Sequence, residues 1–497
     1  MTRTRSTCFE SPDPTARPGA FPRRRLRALG GATVGAMGIL LSGCAVGPDP
    51  RPPSAASLHL PGDFHSPSGD AADQASLVQW WTGFGDPQLS SFVERALAGN
   101  NNIAGAQARL RAARAAARGS QGALLPTLSA GASASRSEVV DGAGLAGSNF
   151  QAGLDASWEA DIFGRLSRTA QAARATAESS AATLADVQRS LVAEVALNYV
   201  DARLSQARLV VARENLAIQD NTLQMVGWRT DAGLASEVEL QQARAQRAQT
   251  AASIPSLEQG FESAANQLAV LLGVAPGTVT AELDPTRDIP LGPDNVEAGL
   301  PADLLSRRPD LIAAQQTLIA ELARVGVAEA QLYPALRFSG SLSSSSAVLD
   351  NLGTNIIGNL LASLSAPLFQ GGQLRARVEQ QQATADAALA TYRQAVLVAL
   401  QDVENALVAI DRTKLRETEL TTAETAARET VRLAEARYES GLIDFQTLLN
   451  AQQTLLNAQD SHTAARAARA NASIQLFKAL GGGWQPAALA SAQTGSQ

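Results

Sequence analysis

Two periodicities share this chain. Apolar Phe150, Ala152, Leu154, Ala156 and Trp158 alternate with Gln151, Gly153, Asp155, Ser157 and Glu159, the period-two pattern of a strand with one apolar and one polar face. The pattern returns where Leu336, Phe338, Gly340 and Leu342 alternate with Arg337, Ser339, Ser341 and Ser343. It returns again where Leu360, Ala362, Leu364 and Ala366 alternate with Leu361, Ser363, Ser365 and Pro367. Elsewhere apolar residues recur every three and four positions. Leu184, Val187, Leu191 and Val195 form one such set, and Leu397, Leu400, Val403, Leu407 and Ile410 another, as in a coiled-coil seam. Apart from Gly227, neither proline nor glycine interrupts 167–228 or 374–438, so each predicts a helix of some 60 residues, about 90 Å long. Shorter helices are predicted from Gln88 to Gly122, from Ser236 to Leu272 with a kink at Pro255, and from Asp444 to Leu480. Pro126 and Pro334 mark switches from helix to strand, because a proline forces its predecessor out of the helical region.

These elements are written twice. Gly233 and Gly441, both suited to helix C-terminal turns, stand 208 positions apart. The same offset joins Asn102-Ile103 to Asp310-Leu311, Pro126 to Pro334, Arg229 to Arg437, and Leu272-Gly273 to Leu480-Gly481. Phe163 pairs with Phe369 at 206, where Gly371-Gly372 replaces a tighter Gly164-Arg165. The chain therefore divides into a leader (1–43), an N-terminal extension (44–86), a first repeat (87–275), a Pro/Gly/Asp-rich linker (276–300), a second repeat (301–483) and a tail (484–497). Each repeat reads helix, two strands, long helix, turn, helix, an α+β and mostly α organisation. Two helices of about 35 residues laid end to end match one of about 60 in height, so each repeat can build one tall antiparallel layer. Four amphipathic strands cannot close a barrel in lipid, where open edges cost several kcal/mol per unpaired group. Neighbouring chains must supply the remainder, as a dimer with eight strands or a trimer with twelve.

Composition narrows the chemistry. Of 497 residues 45% are hydrophobic but only 4% aromatic, which favours long helices packed through small side chains over one thick globule. A net charge of -6 with no basic, aromatic-interleaved stretch sets nucleic acid aside. His59, His65 and His462 are scattered and read as solvated. Cys8 and Cys44 offer neither a disulfide framework nor a metal site, and no nucleophile–base grouping or phosphate loop argues for an enzyme.

The N-terminus reads as an address. Arg23, Arg24, Arg25 and Arg27 precede an apolar run from Ala28 to Leu41 that is too short to span a bilayer comfortably. It ends in Leu41-Ser42-Gly43-Cys44, which resembles the bacterial lipobox. Cleavage is then expected between Gly43 and Cys44, with a lipid on the Cys44 thiol and no other cofactor. Several acyl chains anchor durably where one binds marginally. Ala45 rather than aspartate follows, which by resemblance to Gram-negative lipoproteins implies delivery to the outer membrane.

The segment Trp80-Trp81-Thr82-Gly83-Phe84-Gly85-Asp86-Pro87-Gln88-Leu89, the tandem repeat, the prolines ahead of the strands and the paired Gly233-Leu234 and Gly441-Leu442 turns resemble the TolC family of outer-membrane factors. The lipobox and the Trp-Trp segment resemble its NodT and OprM branch. The resemblance covers nearly the whole chain after the leader. It implies a homotrimer with a 12-stranded barrel in outer-membrane lipid, a long periplasmic α-helical barrel, and an equatorial belt formed partly by the linker and tail. It implies a wet duct that exports drugs or small solutes, working with a periplasmic adaptor and an inner-membrane RND-type pump. In this family the periplasmic tip closes like an iris, and Tyr438 stands where a gate-latching tyrosine is found. Ile443 stands in place of a latch arginine, and Thr447 and Asn450 in place of two constriction aspartates, which points to hydrogen-bonded or hydrophobic closure. Asp444 and Glu439 are candidates for tip charge, Arg229 and Arg437 for cations at helix C-termini, and the two Gly-Leu turns for adaptor docking. A duct for type I protein secretion shares the fold, and a lipid-anchored coiled-coil structural protein without a pore is the competitor from another class. The strand pairs argue against the latter.

Overall fold

The computed structural model describes residues 46–58, 60–65, 77–138, 140–142, 147–293 and 298–484. The leader with Gly43 and Cys44, His59, and the tail beyond Trp484 lie outside the described residues. The first repeat comprises α1 (Pro87–Gly99), α2 (Asn101–Gly122), β1 (Thr127–Ser137), β2 (Gly147–Ala160), α3 (Arg165–Asp231) and α4 (Glu237–Leu271). The second comprises α5 (Pro309–Ala330), β3 (Ala335–Ser346), β4 (Ile356–Ser365), α6 (Gln373–Glu439) and α7 (Phe445–Ala479). One single helical turn, Thr280–Leu283, lies within the linker, and another, Leu304–Arg307, follows it.

The sequence predicts one helix from Gln88 to Gly122, and the structure breaks it at Asn100. This residue is extended, and its side chain accepts from the Asn102 and Ile103 amides while donating to the Leu271 carbonyl. An asparagine offering a cap and a tertiary bond together outweighs continuing the helix. Arg308, its counterpart one repeat later, is also extended, and Pro309 restarts the chain as α5. The long helices α3 and α6 each contain 67 residues, about 100 Å at the usual rise. The returning helices start where Ser236 and Asp444 cap them. The α4 helix runs on through Pro255.

Packing arranges these helices as a row of four columns. On one flank α2 and α4 lie against α3; on its other side α3 meets α5 and α7, which in turn pack on α6. The expected seam of α6 is shifted. Val403 and Leu407 are buried and Leu400 and Ile410 half-buried, but Leu397 is 60% exposed, and the buried line runs Tyr392, Val396, Ala399, Val403, Ala406. Small Ala399 and Ala406 let α5 and α7 approach closely on that side, leaving Leu397 on the free flank.

The four strands form one antiparallel sheet in the order β1-β2-β3-β4. Its register puts Ala130 opposite Leu154, Leu154 opposite Leu342, Trp158 opposite Phe338, and Gly340 opposite Leu360. Since side chains alternate by two, every apolar set shares one face, with Trp158 and Phe338 stacked at 5.7 Å. Ser129, Asp155, Ser341 and Asn359 share the other. The outer edges of β1 and β4 have no strand beside them among the described residues.

Between sheet and tip sits the main core. Trp80 stacks on Phe477 at 5.2 Å and meets Trp81 and Phe84 edge-on, so the Trp-Trp segment ties the extension to the last helix. Beside it the fully buried Arg203 lies over the Tyr199 ring and donates to Gln88 and to the Leu283 and Pro285 carbonyls of the linker. The Tyr199 hydroxyl donates to Asp86 at 2.6 Å, and burial, then Asp86, push its pKa up to about 12. His462, expected to be solvated, instead pairs with Glu424 across α6 and α7.

Candidate gate and docking tip

The tip is built by two helix endings of the same design. In the first, the Leu234 amide donates to the Arg229 carbonyl at 2.7 Å and the Gly233 amide to the Thr230 carbonyl at 2.9 Å. In the second, Leu442 donates to Arg437 at 2.8 Å and Gly441 to Tyr438 at 3.0 Å. This is the Schellman arrangement, which needs a left-handed residue after the helix, and Gly233 and Gly441 have φ of 73° and 72°. The leucine that follows usually folds back on its helix, yet Leu234 and Leu442 are 71% and 74% exposed. The predicted turns therefore present two bare apolar side chains at the end of the molecule.

Behind the turns lies a small core of Val226, Ala243, Val431, Tyr438, Phe445, Leu448 and Leu455. Tyr438 is only 3% exposed and rests on Phe445, 5.8 Å away. Arg229 donates to the Tyr438 carbonyl at 2.8 Å and holds its guanidinium 4.8 Å from the centre of the Tyr438 ring. Sequence spacing pairs Arg229 with Arg437 and places Tyr438 alone; the structure joins Arg229 to Tyr438 across the two repeats. The buried Tyr438 hydroxyl has no hydrogen-bond partner among the described residues. Burial, followed by the charge of Glu239, raises its pKa.

The other candidates separate. Asp444 caps α7 by accepting from the Thr447 amide at 2.8 Å. Its carboxyl is held below the usual range by the Thr447 side chain and amide. Arg437 is exposed in the last turn of α6, and its guanidinium makes no hydrogen bond or ion pair among the described residues. Ile443 packs at the edge of the tip core, while Glu439, Thr447 and Asn450 face solvent.

Two features escaped the sequence reading. Phe445 is the platform beneath Tyr438. A ladder of buried amides also joins α3 to α7, Asn215 donating to Gln459 at 2.6 Å and Gln452 to Thr222 at 2.8 Å. The seven-residue spacing of Gln452 and Gln459 was the available signal, hidden because glutamine is common on solvated helix faces.

At the opposite end, Pro126 and Pro334 stand immediately before β1 and β3. Phe163 stacks on Tyr333 at 4.8 Å. The first described residue, Val46, donates to the Phe163 carbonyl, and Gly47 sits so close to Gly326 that a Cβ would lie 2.5 Å from its Cα. The start of the described chain is thus clamped where the helices meet the sheet.

The outer membrane efflux protein family matches residues 92–274 and 300–482. The pyoverdine export outer membrane protein OpmQ of Pseudomonas aeruginosa is 35% identical over 461 residues, covering 90% of this chain and 95% of the relative. Nodulation protein T of Rhizobium leguminosarum bv. trifolii is 32% identical over 464 residues, covering 91% and 97%. Among solved structures the outer-membrane channel OprN superposes with a TM-score of 0.83 at 35% identity, covering 89% of this chain and 100% of that one.

Proposed function

This chain belongs to the outer membrane efflux protein family, and on that premise we propose that three copies join into one continuous exit duct for small solutes. It is the outer-membrane channel component of an efflux system, with the TolC-like fold of its relatives and a place in the Gram-negative outer membrane reaching into the periplasm. The observation that carries the trimer is the sheet: one face that gathers the alternating apolar sets, an opposite face rich in serine, and two edges with no strand beside them among the described residues. Three such sheets make a 12-stranded barrel whose apolar faces meet lipid and whose serine-rich faces line water. The columns below close in the same way, with α2 and α4 at one end of the row and α6 at the other.

A lipid on Cys44 fits this arrangement. Val46 is held at the junction of sheet and helices, and two residues span at most about 7 Å, so the acyl chains emerge beside the bilayer. The exposed Leu234 and Leu442 form the docking points for a periplasmic adaptor, with an RND-type inner-membrane pump behind it. Transport through such a duct needs no covalent step and no cofactor beyond the lipid. The gate closes through the Arg229–Tyr438 contact and the apolar core around it rather than through a salt-bridged latch at Ile443.

Single-channel recording of the purified, acylated protein in planar bilayers tests this reading. Wild type is expected to show small or flickering conductance, and Tyr438→Ala a larger and steadier one, since the substitution removes both the ring under Arg229 and its packing on Phe445. Equal conductance in the two forms removes the gate from Tyr438, and no conductance from well-folded trimers of either form removes the duct.

A further inference from the structure

One charge on the serine-rich face of the sheet has no counter-charge. A single rung across the four strands reads Ser129, Asp155, Ser341 and Asn359. Asp155 is exposed, and its carboxylate makes no hydrogen bond or ion pair among the described residues; the Ser129 hydroxyl donates to its backbone carbonyl instead. The other charged strand residues on this face are Glu159 and Arg337, nearer the helices, and they are engaged. Glu159 accepts from Arg165 at 2.7 Å and from Arg337 at 3.1 Å. Four residues of extended strand, roughly 13 Å, separate Asp155 from that cluster. Physiological salt screens a charge over about 8 Å, so the cluster leaves Asp155 uncompensated.

The rung borders a depression of about 370 Å³ whose walls also include Ser157, Ser339 and Leu361. Leu361 is 60% exposed on this face. A carboxylate, several hydroxyls and an apolar side chain together suit a cation with an apolar body, its charge at Asp155 and its carbon skeleton against Leu361. An open depression holds such a solute weakly, as conduction demands, because what enters must also leave.

Assembly extends the effect across the lumen. Twelve strands spaced about 4.8 Å apart and tilted about 40° place the backbone on a circle of roughly 12 Å radius. Three Asp155 carboxylates projecting inward then lie about one Debye length from the axis, so their field reaches beyond the wall. We infer that Asp155 is the charge-selecting residue of the barrel, favouring organic cations over anions of the same size. The inference rests on the duct proposed above and names the class of solute that its outer section prefers.

Cysteine accessibility tests it independently of the state of the periplasmic tip. Ser341→Cys, beside Asp155, and Leu342→Cys, on the opposite face, are placed in the full-length acylated protein in outer-membrane vesicles. Rates of modification by a cationic and an anionic methanethiosulfonate are compared, with the unsubstituted chain giving the background from Cys8 and Cys44. Ser341→Cys should react with both reagents and Leu342→Cys with neither. Adding Asp155→Asn should lower the ratio of cationic to anionic rate at Ser341→Cys on the order of ten-fold, the lower end of electrostatic focusing, whereas Asp155→Glu should preserve it. The ratio should also collapse in about 1 M salt, where the screening length is about 3 Å. Hexyltrimethylammonium should protect Ser341→Cys from a neutral methanethiosulfonate, less so with Leu361→Ser and not at all with Asp155→Asn. A ratio that Asp155→Asn leaves unchanged, or no protection by the cation, overturns the inference while the duct stands. Equally slow modification of Ser341→Cys and Leu342→Cys in trimers that resist SDS removes the wet face, and the duct with it.

Discussion

Gly441 shows how little of the tip depends on space and how much on backbone angle. A Cβ there would touch nothing within 4 Å, yet its φ is 72°, a region where an L side chain meets the following carbonyl oxygen at about 1–2 kcal/mol. Gly441→Ala should therefore loosen the turn by about that amount, speeding hydrogen exchange of the Gly441 and Leu442 amides roughly five- to thirty-fold. Gly441→Asn should cost less, because asparagine tolerates the left-handed region. Unchanged exchange in the alanine variant would mean that the turn is held from outside. The glycine was legible from its place after a long helix. The cation over Tyr438 was not, because Arg229 and Tyr438 lie 209 positions apart and nothing local marks the pair. Arg308 shows a different limit. In sequence it is one more arginine before a proline, but in the structure it is buried and bonded to Asp310, Asp402 and the Ala479 carbonyl. Burial alone would raise the Asp310 carboxyl, and the Arg308 hydrogen bond with the charges of Arg189 and Arg308 holds it below its usual range.

Among elements, helices and strands were legible to different degrees. Stretches free of proline, and of glycine but for Gly227, marked α3 and α6 to within a few residues, and Ser236 and Asp444 marked the returning helices, because capping chemistry is local. Alternation marked β2 and β3 well. It ran β4 on to Pro367, whereas the strand ends at Ser365, since proline cannot donate to the ladder. The register, which decides what the sheet does, required the pairing itself. It places Leu360 on the apolar face and Ser341 on the polar one. Leu360→Arg should thus cost about 2–4 kcal/mol at mid-bilayer depth, read as loss of SDS-resistant trimers, while Ser341→Arg should leave trimer yield near wild type and alter conductance. Equal tolerance of both substitutions would reverse or abolish the assignment of faces.

At the scale of the whole molecule, the proposed reading supplies anchoring twice, by the barrel and by a lipid on Cys44, and in it the barrel is much the larger apolar surface. A Cys44→Ala chain carrying a conventional cleavable leader in place of residues 1–43 should still fractionate with the outer membrane after high-salt washing. Its recovery in the soluble periplasmic fraction would show that the strands do not build a membrane barrel by themselves. By itself the sequence determined the tandem repeat, the two long helices and their returns, and the existence of amphipathic strands. Each of these follows from periodicity, backbone propensity or an offset carried along the chain. Only the tertiary structure decided which helices stand at the ends of the row, onto which face of the sheet the alternating apolar sets fall, and that Arg229 rather than Arg437 closes on Tyr438. Those outcomes depend on how columns more than 200 residues apart in sequence settle side by side, and packing between distant segments leaves no local signature.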